Sequence, residues 1–147
     1  MALMNVFRVE HSDGRGAYQG RWDWDRNDEP AFIRDLNSSH YLPVDPHPSP
    51  YDDGIDYVDD YDYFACQSPE LLLAWFYRDG QEDARRLSDQ GMRIVVYQVA
   101  KKHVQLGGRQ CTFKKMDARV VGRWDPRDFL KEFQPRQGVR DRLFGVL

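Results

Sequence analysis

The side chains of this 147-residue chain that could carry out chemistry are unevenly spread. Residues 51–64, "YDDGIDYVDDYDYF", hold six aspartates and four tyrosines with no basic residue among them. Cys66, Cys111 and the four histidines, of which His40 and His47 lie in one proline-rich stretch, are other groups that could ligate a metal or act as a nucleophile. A calcium loop of the EF-hand type needs a bidentate glutamate closing it at a fixed position, which the aspartate run lacks. No pair of Cys or His has zinc-type spacing, so no metal is expected. Cys66 precedes a candidate helix N-terminus, where the dipole favours a thiolate. Its setting in "YFACQS" nevertheless reads as a strand beneath a core helix, and both cysteines are expected to be reduced core thiols. There is no GxSxG elbow and no Walker-type loop, and "GRGAYQG" lacks the dinucleotide spacing.

The acidic segment can do one thing well. Its phenol rings can lie on apolar surface while the carboxylates stay in water, and tyrosine is an efficient interface residue. Asp52, Asp53, Asp56, Tyr57, Asp59, Asp60, Tyr61 and Asp62 are therefore the candidate partner-binding residues. Such a surface imitates the charge of a nucleic-acid backbone and fits a basic groove on a protein. The alternative is a solvated loop whose tyrosines cover the protein's own sheet.

The net charge of −3 conceals a polarity: residues 1–63 carry 14 acids and 5 bases, residues 109–147 carry 5 acids and 10 bases. The asymmetry can orient a partner, or the acidic half can fold against the basic one. Arg109, Lys114, Lys115, Arg119 and Arg123 cluster along the last expected strands, with Trp124 free for stacking. Aromatic interleaving is thin there and the acidic half repels phosphates, so direct nucleic-acid binding is not expected. The longest apolar run, "LLLAWF", is far shorter than the ~20 residues of a membrane span, so no membrane association is expected. "MALMNVFRVE" has no basic leader character, which suggests the cytoplasm.

These groups need a scaffold. "MNVFRVE" alternates as a first strand, followed by a glycine-rich loop. "RWDWD" reads as extended, and "EPAFIRDLN" as a short helix with Pro30 in its first turn. Prolines 43, 46, 48 and 50 forbid regular structure, so residues 38–60 are expected to form a long acidic, proline-rich surface loop. "YDYFACQ" returns to strand. "SPELLLAWF" is a helix with Ser68 as N-cap and Leu71, Leu72, Trp75 and Phe76 as its buried stripe. "QEDARRLSDQG" is a second helix stopped at Gly91, and "MRIVVYQVA" is a central strand.

"HVQLGGRQCTF" predicts a hairpin about a Gly107-Gly108 turn, pairing Leu106 with Arg109 and Val104 with Cys111. That register leaves His103, Gln105, Gln110 and Thr112 on the non-core face. A short strand around Val120 and a helix capped by Asp125 follow. The whole chain is expected to be one α+β domain, a mostly antiparallel sheet with three to four helices.

The segments "VFRVE", "YFACQSPELLLAWF", "MRIVVYQV" and "GGRQCTF" are similar to small proteins of the ADP-ribosyltransferase-like fold. The resemblance implies an NAD pocket lined by Arg8 on the first strand, by Tyr63 or Ser68 before a helix, and by Gln110 on a late strand. Gln110 stands where the family carries a glutamate and cannot supply its negative charge, so a site mapped this way would bind without turnover or be degenerate. The pattern also resembles small proteins of bacteriophages and mobile elements, many of which bind host defence or regulatory proteins. The function expected first is therefore that of a binding protein, with a basic-surfaced host protein as partner and no cofactor. A nucleic-acid-binding defence system such as CRISPR or restriction is an example of such a host. An NAD-using transferase is the alternative.

Overall fold

The structure, a computed structural model, describes residues 2–17 and 47–134. The expected "RWDWD" strand, the "EPAFIRDLN" helix, His40 and the first part of the proline loop lie outside the described residues. Within them the fold is α+β, as expected. Strands β1 (Leu3–Glu10), β3 (Arg93–Ala100) and β6 (Arg119–Trp124) form one sheet in the order β1-β3-β6. Strands β2 (Asp62–Ala65), β5 (Cys111–Lys114) and β4 (Val104–Leu106) form a second, in the order β2-β5-β4. Every strand pair is antiparallel. The sheets are stitched where Phe7 and Cys66 exchange backbone hydrogen bonds, each of 2.8 Å.

Among the described residues, three α-helices pack with the first sheet. Helix α1 (Pro69–Phe76) starts at Ser68, whose hydroxyl accepts from the Leu71 amide at 3.2 Å, with proline at the first helical position. Its buried side chains are Leu72, Leu73 and Trp75; Leu71 and Phe76 are only partly buried against the same core. The expected stripe thus packs on the core but omitted Leu73, because a helix this short offers little periodicity with which to orient it. Helix α2 (Gln81–Asp89) stops at Gly91, whose φ of +76° puts it in the left-handed region that glycine enters without strain. Helix α3 (Pro126–Phe133) begins at Asp125, whose carboxylate accepts from the Arg127 amide at 2.9 Å.

Aromatic rings join α3 to the first sheet. Phe129 and Phe133 lie 4.7 Å apart between centroids, and Trp124 meets both edge-on at 6.2 and 5.5 Å. The expectation that Trp124 is free for stacking is therefore corrected: it belongs to the aromatic core. A second apolar cluster, with Val6, Val95, Tyr97, Val99, Cys111 and Phe113, lies between the two sheets.

The hairpin expectation also changes. The observed register pairs Val104 with Phe113, Gln105 with Thr112 and Leu106 with Cys111. The connection is a four-residue loop, 107–110, and the pairing slips by two residues. Because side chains alternate with period two, a two-residue slip keeps each one on its expected face. What differs is burial: Thr112 and Gln110 are buried and Leu106 is exposed. A third layer of chain covers the face that turns away from the core.

Candidate functional site

That third layer is the acidic segment. Its upstream end is held by the buried His47, whose Nε2 lies 2.6 Å from the Trp75 carbonyl oxygen and whose ring meets Trp75 edge-on. A 3₁₀ turn, Tyr51–Asp53, follows, and Gly54 reverses the chain at φ +95°. Asp53 then caps the β4–β5 loop. Its Oδ2 accepts from the amides of Arg109 (2.8 Å) and Gln110 (2.9 Å), and its carbonyl accepts from Gly108 N–H at 2.9 Å. Gly107 is required by this approach, since a Cβ there would sit 2.6 Å from Asp53 Oδ2 and 2.8 Å from the Gln110 carbonyl oxygen. In return, Gln110 Nε2 donates to the Pro48 carbonyl at 2.8 Å.

Gln105 clamps the next stretch as a neighbouring strand would. Its Oε1 accepts from the amides of Asp56 (2.9 Å) and Tyr57 (3.3 Å), and its Nε2 donates to the Tyr57 carbonyl (2.8 Å). Ile55 is buried between these two anchors. Asp59 and Asp62 close the segment on one cation, with Lys114 Nζ at 2.8 and 2.7 Å. Asp59 also accepts from the Tyr61 amide at 2.8 Å. The Lys114 hydrogen bond, helped by that amide, holds the Asp59 carboxyl below the usual carboxylate range.

The eight residues expected to bind a partner therefore divide. Asp53, Asp59 and Asp62 are engaged by the protein itself. Asp52, Asp56 and Asp60 are exposed, and their carboxylates have no hydrogen bond or ion pair among the described residues. Tyr57 and Tyr61 are each 66% exposed and Tyr51 is 63% exposed. Tyr51 and the clamping Gln105 escaped the sequence reading of the surface. Gln105 could have been noticed, since its face away from the core was legible, but its partner lies about fifty positions upstream.

Four residues were mapped to an NAD pocket, and the structure brings two of them together. The Arg8 guanidinium lies 5.1 Å from the Tyr63 ring centroid. Arg8 Nε donates to Glu10 at 3.0 Å and Nη1 donates to the Phe64 carbonyl at 2.7 Å. Glu10 also accepts from the Tyr97 hydroxyl at 2.6 Å and pairs with Lys115 Nζ at 3.2 Å. Burial, reinforced by that carboxylate, pushes the Tyr97 phenol well above its ordinary range. Ser68 caps α1 and Gln110 holds the Pro48 carbonyl, so neither is part of this cluster's hydrogen bonding. Gln110 faces away from the core as expected, and it is buried there beneath the acidic segment.

Cys66 and Cys111 are buried free thiols. Burial raises both, Cys111 to about 12, which leaves neither with thiolate character near neutrality. The basic residues of the last strands do not act as one patch. Lys114 and Lys115 are neutralised internally, Arg119 donates to Gln98 at 2.8 and 3.1 Å, and Arg109 and Arg123 are exposed. No helix among the described residues is long and apolar enough to cross a membrane.

Comparison with known proteins adds one positive finding. A family model described as the bacteriophage T4 Y00F protein matches residues 4–127. No curated protein and no solved structure matches the chain.

Proposed function

The chain belongs to the bacteriophage T4 Y00F protein family, and from that premise we propose that it is a binding protein that modulates a host protein bearing a basic surface. The observation carrying this reading is the exposed alternation of Tyr51, Asp52, Asp56, Tyr57, Asp60 and Tyr61 on a backbone that the protein has already immobilised. Preorganisation matters because a loop that must be ordered on binding loses affinity to that ordering. Here Asp53, Gln105 and the Asp59–Lys114–Asp62 triad have fixed it beforehand. Rigid phenol rings supply contact area, and the unpaired carboxylates steer a cationic groove toward them. A host nucleic-acid-binding defence protein in the bacterial cytoplasm has the complementary chemistry.

The test compares the full-length protein with Asp52→Asn/Asp56→Asn/Asp60→Asn. A partner captured by the native protein from bacterial lysate is purified and its affinity measured at several salt concentrations. The variant is expected to bind at least ~10-fold more weakly, with a shallower salt dependence. Equal affinity of the two proteins would exclude the acidic surface as the binding face. Asp59 and Asp62 are unsuitable for this test, because their loss also releases Lys114. The NAD-using alternative draws on the contact between Arg8 and Tyr63. An NAD-induced rise in Tm that vanishes in Tyr63→Ala would favour it.

A further inference from the structure

The acidic segment does not cover the whole outer face of the second sheet. In the β2–β5–β4 register Phe64 lies opposite Thr112 and Thr112 opposite Gln105, so the three form a row on the face turned away from the core. At the β4 end of that row Gln105 clamps residues 56 and 57, and Thr112 in the middle is buried. At the β2 end Phe64 is 40% exposed and belongs to neither apolar cluster. Its backbone is nevertheless fixed from behind. The Phe64 carbonyl accepts from Arg8 at 2.7 Å, and Cys66, two residues on, is bonded to Phe7. The ring is therefore presented from a rigid strand.

A single exposed apolar side chain is ordinary on a protein surface. Position gives this one its meaning. Neighbouring strands lie about 4.8 Å apart, so Phe64 stands roughly 10 Å from Gln105, which holds the Asp56 and Tyr57 amides. In the next row Lys114 is neutralised by Asp59 and Asp62, so it does not repel a cationic partner. A standard interface takes about 800 Å² from each partner, a patch wide enough to include Phe64 with Asp56, Tyr57 and Asp60. Imitating a phosphate backbone makes no use of a phenyl ring, whereas interfaces between proteins are enriched in aromatic side chains. We infer that Phe64 is the apolar anchor of the acidic surface, and that the partner protein presents a large apolar side chain beside its cations. The inference rests on the binding reading above and narrows it from any cationic groove to one with an apolar contact. Charge opposes a second copy as the occupant. A two-fold contact on this face would bring the unpaired carboxylates of Asp52, Asp56 and Asp60 against their own copies, and one Arg109 from each chain does not balance them.

The experiment uses the full-length protein and two labelled peptides, each with a run of lysines alternating with serine. One peptide continues with leucines alternating with serine, and in the other serine replaces the leucines. Alternate residues of an extended chain share a face, so cations and apolar side chains meet the protein together. Fluorescence anisotropy is expected to show the leucine peptide binding at least ~5-fold more tightly at equal salt. Phe64→Ser should remove that advantage and leave the serine peptide unchanged, while Phe64→Leu should retain most of it. Asp52→Asn/Asp56→Asn/Asp60→Asn should weaken both peptides alike, and circular dichroism checks that every variant folds. Equal binding of the two peptides to the native protein, or an advantage that survives Phe64→Ser, would overturn the inference and leave the charge-based reading standing. Indifference of both peptides to the triple variant would overturn that reading and the inference with it. A concentration-dependent dimer of the native protein that Phe64→Ser dissolves would make a second copy the occupant, and that too would overturn the inference.

Discussion

Segment 51–62 and the cluster around Glu10 both hold ionised groups against the second sheet, but they differ in what their charges can do without one another. Around Glu10 the groups are mutually dependent: one buried carboxylate serves Arg8, Tyr97 and Lys115, with the Tyr63 ring beside both cations. In the segment, Asp53, Asp59 and Asp62 turn inward and hold the chain, while Asp52, Asp56 and Asp60 stay in water. A charge buried with its partners becomes part of the scaffold. A charge with no partner and full hydration costs the fold nothing and is available to a ligand.

Four variants sharpen that contrast. The largest loss is expected for Glu10→Gln, which strands Arg8 and part of Lys115 without their anion. Urea denaturation should show a loss of about 3 kcal/mol, the scale of breaking a buried pair by removing one member. A loss near zero would mean that water compensates the cluster and that it is no different from the surface. Next comes Asp53→Ala. Leaving the Arg109 and Gln110 amides without their carboxylate acceptor should cost about 1–2 kcal/mol and speed hydrogen exchange at those two residues, while Gly108 keeps the Asp53 backbone carbonyl as its acceptor.

The third test is acid titration. The Asp59 carboxyl is held below its ordinary value of 3.8, so the folded state binds its proton less readily than the unfolded state does. Its stabilising contribution is complete well above pH 3.8 and is lost as pH falls through the depressed folded value. Asp59→Asn should therefore flatten the decline of stability below about pH 4 relative to the native protein. Parallel declines in the two proteins would show that Lys114 does not discriminate the ionised form. The smallest effect on folding is expected from Asp52→Asn/Asp56→Asn/Asp60→Asn, within about 0.5 kcal/mol of the native protein. A larger change would show that these three carboxylates also hold the fold and would erase the distinction between the two sets.

Much of the scaffold was legible because its signals are local. Ser68-Pro69 and Asp125-Pro126 mark helix starts with their own side chains, and Gly91 marks a stop. The unbroken apolar run of β3 announces a strand covered on both faces. The candidate site was legible only as composition. No local rule separates Asp53 from Asp52 or Asp59 from Asp60, since each pair is adjacent and chemically identical. The Gly107-Gly108 pair suggested a tight turn, but Asp53 wraps the loop from outside and stabilises a longer one.

The sequence by itself determined the α+β class, the antiparallel strands, the helix caps and the concentration of aspartate and tyrosine between two structured stretches. Those follow from backbone preferences and from patterns that span only a few residues. The tertiary structure decided which carboxylates are bound and which are free, the company that Arg8 keeps, and the burial of Gln110 and Trp124. Each of these depends on a partner from a distant part of the chain, and electrostatic and packing energies are set by distance in space.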